Sequence, residues 1–244
     1  MRPIEKKQPG DVVQYKDSHG QFIDHVVHQD YVEYSNAKLP LVGNLGRYCS
    51  YCEGLREIDA LEVEHRVARN NGGSATAWDN FLLCCKLCNT VKSTKEIGDD
   101  IHWPHLNNTF LDFVYDETGR VKVNPELSGI SAIRARSLYN LVCLGRYNMD
   151  ATPRDYRWQR RYETWNKAVS AKTKYEEGKW SVDDVISTAK ITGYWSVWFT
   201  VFAGVDAILS RLISDFDGTC KSCFNADDHY KPVPRNPDNS IDPI

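Results

Sequence analysis

Two Cys-x-x-Cys pairs, Cys49/Cys52 and Cys85/Cys88, stand with 32 residues between them. Four thiolates at this spacing close one tetrahedral Zn²⁺ site. Such a site ties two distant stretches of chain together, so whatever lies between must leave and return to one point. The intervening residues fit that demand. Ala60 to His65 alternates apolar and polar side chains, which predicts a short strand. Asn70-Asn71-Gly72-Gly73-Ser74 predicts a turn. Asp79 onward, through Phe81-Leu82-Leu83, leads into the second pair and a helix across Thr90–Glu96. The expectation is strand, loop, strand and helix around one metal. Cys84 could replace Cys85 as a ligand, but Cys-x-x-Cys has the better loop geometry, so Cys84 is expected in the core.

The pairs also bracket Glu64-His65, Asp79-Asn80 and a closing Asn89, in the spacing His65-x₁₄-Asn80-x₈-Asn89. With the acidic residue before the histidine, the Gly-Gly loop and Cys-x-x-Cys-Asn-x-x-Lys, residues 47–95 resemble the HNH endonuclease superfamily in its His-Asn-Asn form with zinc knuckles. The resemblance implies a ββα-metal core and phosphodiester hydrolysis. It implies His65 as general base, Glu64 and Asn89 as ligands of a catalytic divalent metal, and Asn80 as the orienting residue. The chemistry agrees. A neutral imidazole can take a proton from water near pH 7. A carboxylate and an amide oxygen are hard donors suited to Mg²⁺ or Mn²⁺, and Asn in place of His at the last position favours such metals over Zn²⁺. Glu in place of Asp lengthens the first ligand by one methylene. Adjacent strand residues point to opposite faces, so Glu64 and His65 are expected to need a bend or bulge to converge. Lys92, one turn beyond Asn89, is expected to hold a phosphate. The competing reading is a non-catalytic zinc-ribbon scaffold that binds nucleic acid or an ATPase, with His65 and Asn80 only steadying a loop.

The whole chain of 244 residues is 41 % hydrophobic, enough for a packed core, and carries a net charge of −3. The fold class expected is α+β: the stapled core and a larger, mostly helical C-terminal region. Residues 1–46 read as an irregular leading segment with short β runs, closed by a loop at Pro40 and Gly43-Asn44. Residues 47–100 are the cysteine module. Residues 101–125 read as a connector, with a hairpin of Phe110–Tyr115 and Val121–Val123. Residues 126–215 predict helices at about 131–144, 154–177, 181–191 and 194–214, and residues 216–244 an extended tail. Tyr194 to Ile213 is rich in Trp, Phe, Ile and Leu. Asp206 and Arg211 interrupt it, which predicts a buried helix rather than a membrane span. Eight cysteines behind an N-terminus with no apolar leader point to a reducing, cytoplasmic setting.

Weaker signals lie outside the module. Arg134 to Lys174 holds ten Lys and Arg against three acidic residues, with Arg157, Arg160 and Arg161 as candidate nucleic-acid contacts and Tyr156, Trp158, Tyr162 and Trp165 interleaved. The same pattern fits a solvated face over a core. Trp195, Trp198, Phe199 and Phe202 recur at helical spacing, which predicts core packing or a partner surface. Cys220-x-x-Cys223 with His229 offers three ligands toward a second metal. His102 and His105 flank Pro104 and read as structural. The opening MRPI, the entry Gly46-Arg47-Tyr48-Cys49-Ser50-Tyr51-Cys52-Glu53 and the helical region are similar to the HNH nuclease subunit of Septu-type prokaryotic antiphage modules, including those attached to retrons. That likeness implies an ABC-type or SMC-like ATPase partner, and in retron versions a reverse transcriptase with its RNA–DNA product.

Overall fold

Ahead of the first cysteine pair, β1 (Val12–Lys16) and β2 (Phe22–Val26) form an antiparallel hairpin, followed by helix α1 (Lys38–Leu45). The computed structural model of the chain describes residues 1–98, 100–147 and 155–235. Where a loop was expected at Pro40 and Gly43-Asn44, the chain is helical. Pro40 sits in the first turn of α1, where its missing N–H has no partner to lose. Gly43 lies against β1, and a Cβ there would come 2.9 Å from the Gln14 carbonyl oxygen. Asn44 uses its side chain on the leading segment, donating to Glu5 O at 3.1 Å and accepting from Lys7 N at 2.9 Å. These turn-forming residues are therefore explained by packing rather than by a turn.

Strands β3 (Leu61–His65) and β4 (Phe81–Cys85) pair antiparallel, from Leu61 opposite Cys85 to His65 opposite Phe81, and α2 (Lys86–Lys92) follows directly. It starts and ends four residues before the expected Thr90–Glu96, because Cys85 caps it at the end of β4. β4 is buried along its whole length, as its apolar run requires. A second hairpin joins β5 (Phe113–Tyr115) to β6 (Val121–Val123). Its first strand starts later than Phe110 because that ring turns to the helices, meeting Phe199 at 4.9 Å and Trp195 at 5.6 Å between centroids.

The C-terminal region contains α3 (Gly129–Leu141), α4 (Arg157–Glu176), α5 (Val182–Thr192), α6 (Trp195–Val201) and α7 (Asp206–Asp215). Ser181 and Asp184 cap α5 reciprocally. The helix expected over 194–214 is two helices, broken at Gly204, whose φ of 83° a side chain would resist. Trp195, Trp198, Phe199 and Phe202 are all buried, so their spacing reflects core packing. Part of the expected tail is folded, because Phe216 and Phe224 enter the same core and β7 (Phe224–Asn225) pairs with β8 (Lys231–Pro232). The expected start of α4 at 154 and the tail beyond 235 lie outside the described residues.

With seven α-helices and four two-stranded sheets among the described residues, the fold is mixed as expected. No helix there is long and apolar enough to cross a membrane. Glu53, in the zinc knuckle, links the two parts. Its buried carboxylate accepts from Arg2 N at 2.9 Å, Ser196 N at 2.7 Å, Ser196 Oγ at 2.8 Å and Tyr115 OH at 3.2 Å.

Candidate active site

At one end of the β3–β4 ribbon the sulfurs of Cys49, Cys52, Cys85 and Cys88 lie within 4.8 Å of one another, all four residues buried. Cys52 and Cys85 are 3.8 Å apart, which matches the edge of a tetrahedron with Zn–S bonds of about 2.3 Å. The donor set therefore fits a structural zinc. The first pair forms a tight knuckle in which Glu53 N donates to Cys49 O at 2.9 Å and Glu53 adopts φ 63°. Cys85 caps α2 and Cys88 lies on its first turn, so the zinc would hold the start of that helix to the knuckle. Cys84 is buried outside the cluster, and burial raises its thiol pKa well above the ordinary value. Among the described residues no other group forms such a cluster. His229 is drawn instead to Asp206, at 2.8 Å, and leaves Cys220 and Cys223 without a third ligand.

The pairing register runs unbroken through Glu64 and His65, so the expected bulge is missing and the two side chains leave on opposite faces. The face toward α2 carries Glu62 and Glu64. Glu64 is 2 % exposed. One of its oxygens meets Lys92 Nζ at 2.5 Å and the other accepts from Tyr51 OH at 2.6 Å. Burial raises its pKa, opposed by Lys92 and Tyr51. Lys92 Nζ also donates to His65 O at 2.9 Å. Lys92 is thus a buried internal cation, not the solvent-facing phosphate contact expected, and Glu64 as placed has no oxygen open to a metal.

Asn89 meets a different carboxylate. Its Nδ2 donates to Glu62 Oε2 at 2.7 Å. Glu62 was passed over in the sequence, although the period of two that exposes one face of a strand puts it beside Glu64. A strict reading of that alternation would have found it.

His65 occupies the opposite face, between the rings of Tyr34 at 5.0 Å and Phe81 at 5.1 Å. Its Nε2 lies 3.2 Å from Ala75 O. A carbonyl only accepts, so this contact places the proton on Nε2 and leaves the Nδ1 lone pair free. Partial burial lowers the imidazole pKa below its ordinary value, with Arg69 and Lys92 adding to that and the Ala75 contact opposing it. The ring is therefore neutral near pH 7.

Asn80 holds the loop that carries Ala75. Its Oδ1 accepts from Val67 N at 2.9 Å, and its Nδ2 donates to Val67 O at 3.0 Å and Ser74 O at 2.7 Å. Gly73 permits this closure, since a Cβ there would stand 1.9 Å from Val67 O. The loop is folded back on the ribbon, and its carbonyl reaches the histidine.

The basic helix divides. Arg157 and Arg161 are each 2 % exposed and bond internally. Arg157 reaches Asp155 at 2.8 Å and Cys88 Sγ at 3.6 Å, and Arg161 donates to Gly119 O at 2.9 Å. Neither can meet a nucleic acid from solvent, which corrects the expectation for both. Arg160 is exposed and pairs with Glu163 at 3.0 Å. His102 pairs with buried Asp112 at 2.9 Å, in keeping with a structural role.

No curated protein and no solved structure gives a match to the chain. The stretch from Cys49 to Lys95, about a fifth of its length, matches the family model described as HNH endonuclease, and the match supports a nuclease function.

Proposed function

We propose that the chain is a metal-dependent endonuclease that hydrolyses nucleic-acid phosphodiester bonds with His65 as general base. The observation that carries the reading is the Nε2 contact to Ala75 O, which leaves Nδ1 as the free base. Nδ1 takes a proton from water, and the resulting hydroxide attacks phosphorus in line with the leaving oxygen. Asn80 keeps the imidazole aligned by fixing the loop.

A divalent cation, Mg²⁺ or Mn²⁺, would neutralise charge on the phosphate and the leaving oxygen. Asn89 and Glu62, adjacent on the α2 face of the ribbon, would offer it oxygen donors, and Glu64 would join them only if Lys92 released its carboxylate. Because His65 leaves on the opposite face, the phosphate would have to reach both around the end of β3. The reading is tested with the zinc-loaded chain in Mg²⁺ or Mn²⁺, on plasmid DNA and on RNA, beside His65→Ala. Equal cleavage by the variant would sink it.

We further infer, from the resemblance, that the nuclease is the effector of an antiphage module under the control of an ABC-type or SMC-like ATPase. In a retron version, a reverse transcriptase and its RNA–DNA product would join it. What supports a partner is the first hairpin, where Val12, Phe22 and Val26 share one face and are 55 %, 69 % and 46 % exposed. Co-purification with an ABC-type or SMC-like ATPase co-expressed with it, lost in Phe22→Ser, is the expected result. Retention in that variant would remove the hairpin from the interface.

A further inference from the structure

A pocket of about 390 Å³ opens beside the zinc knuckle, lined by Leu55, Arg56, Arg160, Glu163, Lys167 and Tyr194 among others. Three stretches meet there: the knuckle, the corner between α5 and α6, and the outer side of α4. Gly54 and Gly193 pair across the joint in an isolated β-bridge, and Tyr194 N donates to Glu53 O at 2.9 Å. A Cβ on Gly193 would come 2.8 Å from Leu55 N, and one on Gly54 would come 2.9 Å from the Arg56 guanidinium. Tyr194 itself is held at φ 56°, a left-handed conformation that costs a non-glycine residue of order 1–3 kcal/mol. The joint is close-fitting, and its geometry is fixed by the fold.

The lining chemistry leans toward an anion site. Three cations and one carboxylate line it in a chain whose net charge is −3. Arg56 also faces the sulfurs of Cys49, Cys52 and Cys85, which leaves Arg160 and Lys167 as the cations turned to solvent. Arg160 and Glu163 are both exposed, so their ion pair is weak and easily exchanged. Lys167 is exposed, and Arg56 is half-buried with Nη1 bonded to Leu55 O at 2.7 Å. Tyr194 is 4 % exposed, and its hydroxyl lies beside Arg56, a group that can only donate to it, so the hydroxyl proton has no acceptor among the described residues. A buried donor left without an acceptor costs about 1–3 kcal/mol. An oxyanion in the pocket would accept that hydroxyl and pair with the cations, as phosphate does with Arg and Lys elsewhere.

We propose that this pocket binds a phosphate group, with Arg56, Arg160, Lys167 and Tyr194 as its donors. The phosphate is not the scissile one. Arg56 faces the sulfurs at the cysteine end of the ribbon, and His65 closes the other end of β3, a strand that spans four residue steps or about 13 Å from Leu61. Its source in a nucleic-acid backbone rests on the nuclease reading, whereas a free nucleotide would present the same chemistry.

The test uses the zinc-loaded full chain carrying His65→Ala, without Mg²⁺, and reads fluorescence anisotropy of a single-stranded oligodeoxynucleotide. Titrations with inorganic phosphate and a nucleoside monophosphate, followed by thermal shift, form the second arm. Arg160→Ala with Lys167→Ala is expected to weaken oligonucleotide binding and reduce the log–log salt slope by about 1.4, the value for two backbone contacts. Tyr194→Phe is expected to weaken it about fivefold, the worth of one hydrogen bond, with the melting temperature of the unliganded protein unchanged or raised. Oligonucleotide binding assigns the backbone, and a shift with the nucleotide alone assigns a free ligand. Binding of neither overturns the pocket. So does an unchanged double variant, or an unchanged Tyr194→Phe, which would leave only a diffuse basic surface. Cleavage by His65→Ala in a separate assay would remove the catalytic reading and leave the pocket standing.

Discussion

The two ends of the β3–β4 ribbon are built on different principles. At the cysteine end, four side chains of one kind converge on a point that a single ion can occupy, and the spacing alone specifies the closure. At the histidine end no two functional groups are alike. His65 is aligned by a backbone carbonyl, that carbonyl is placed by Asn80, and the carboxylates belong to the other face of the strand. The first end offers a coordination site, and the second is held by a relay of hydrogen bonds. A zinc at the first end would stiffen the second, because α2 starts on Cys85 of the cluster and finishes on Lys92, which grips the His65 strand.

Removing the zinc should produce the largest effect. Structural zinc sites contribute on the order of 10–16 kcal/mol of apparent binding energy, so Cys49→Ala or a strong chelator should abolish cooperative unfolding of the module. Circular dichroism and zinc stoichiometry read this directly, and a chelated protein with an unchanged melting curve would erase the contrast between the ends. His65→Ala should act in the opposite way. Cleavage should fall by about 10²–10⁴-fold, the usual contribution of a general base, while the melting temperature stays near that of the parent because the ring is half-buried.

The Glu64–Lys92 pair separates the roles of the carboxylates. Glu64→Gln leaves the Lys92 ammonium buried and unpaired, for an expected loss of about 3–5 kcal/mol in denaturant unfolding, and Glu64→Gln with Lys92→Met should recover part of it. Glu62→Gln should change stability little and raise the Mg²⁺ concentration needed for cleavage. If Glu64→Gln alone raises the metal requirement, the metal lies on Glu64 and Lys92 must move aside. Asn80→Ala should cost less, about 1–3 kcal/mol for the loop groups it leaves unpaired. It should lower kcat more than it changes KM, since it misaligns a base without touching substrate binding.

The difference between the ends also explains what could be read from the chain. The Cys₄ closure and the strand–loop–strand–helix order were legible because spacing, period and apolar runs are local. The destinations of Glu64 and Lys92 were not, since a side chain's partner is set by which face of the ribbon α2 covers. The same limit governed α4, where charge count placed Arg157 and Arg161 in solvent. Both are buried, one between Asp155 and the thiolates and the other over Gly119, where even a Cβ would come 2.4 Å from Trp158 O. Asn44 and Pro40 carried turn signals that tertiary packing overrode. Gly204 was the reverse case, a local breaker hidden in an apolar run long enough to read as one helix.

Cys84 carries the smallest expected effect and is the most direct check on the cysteine end. It neighbours Cys85, so composition and spacing alone admit either as the third ligand. Strand alternation separates them: Cys84 pairs across the ribbon with Glu62 and takes the face beneath α2, while Cys85 turns to the knuckle. Cys84→Ala removes one buried sulfur from a packed site, for about 1 kcal/mol of stability, and should leave one zinc bound per chain. Cys85→Ala should lose the metal and the fold together. If instead Cys84→Ala releases zinc and Cys85→Ala retains it, the register of β3 against β4 is shifted by one residue. Such a slip would exchange the faces of Glu64 and His65 relative to α2, so zinc stoichiometry in two alanine variants tests the placement of His65, the proposed base, at the far end of the ribbon.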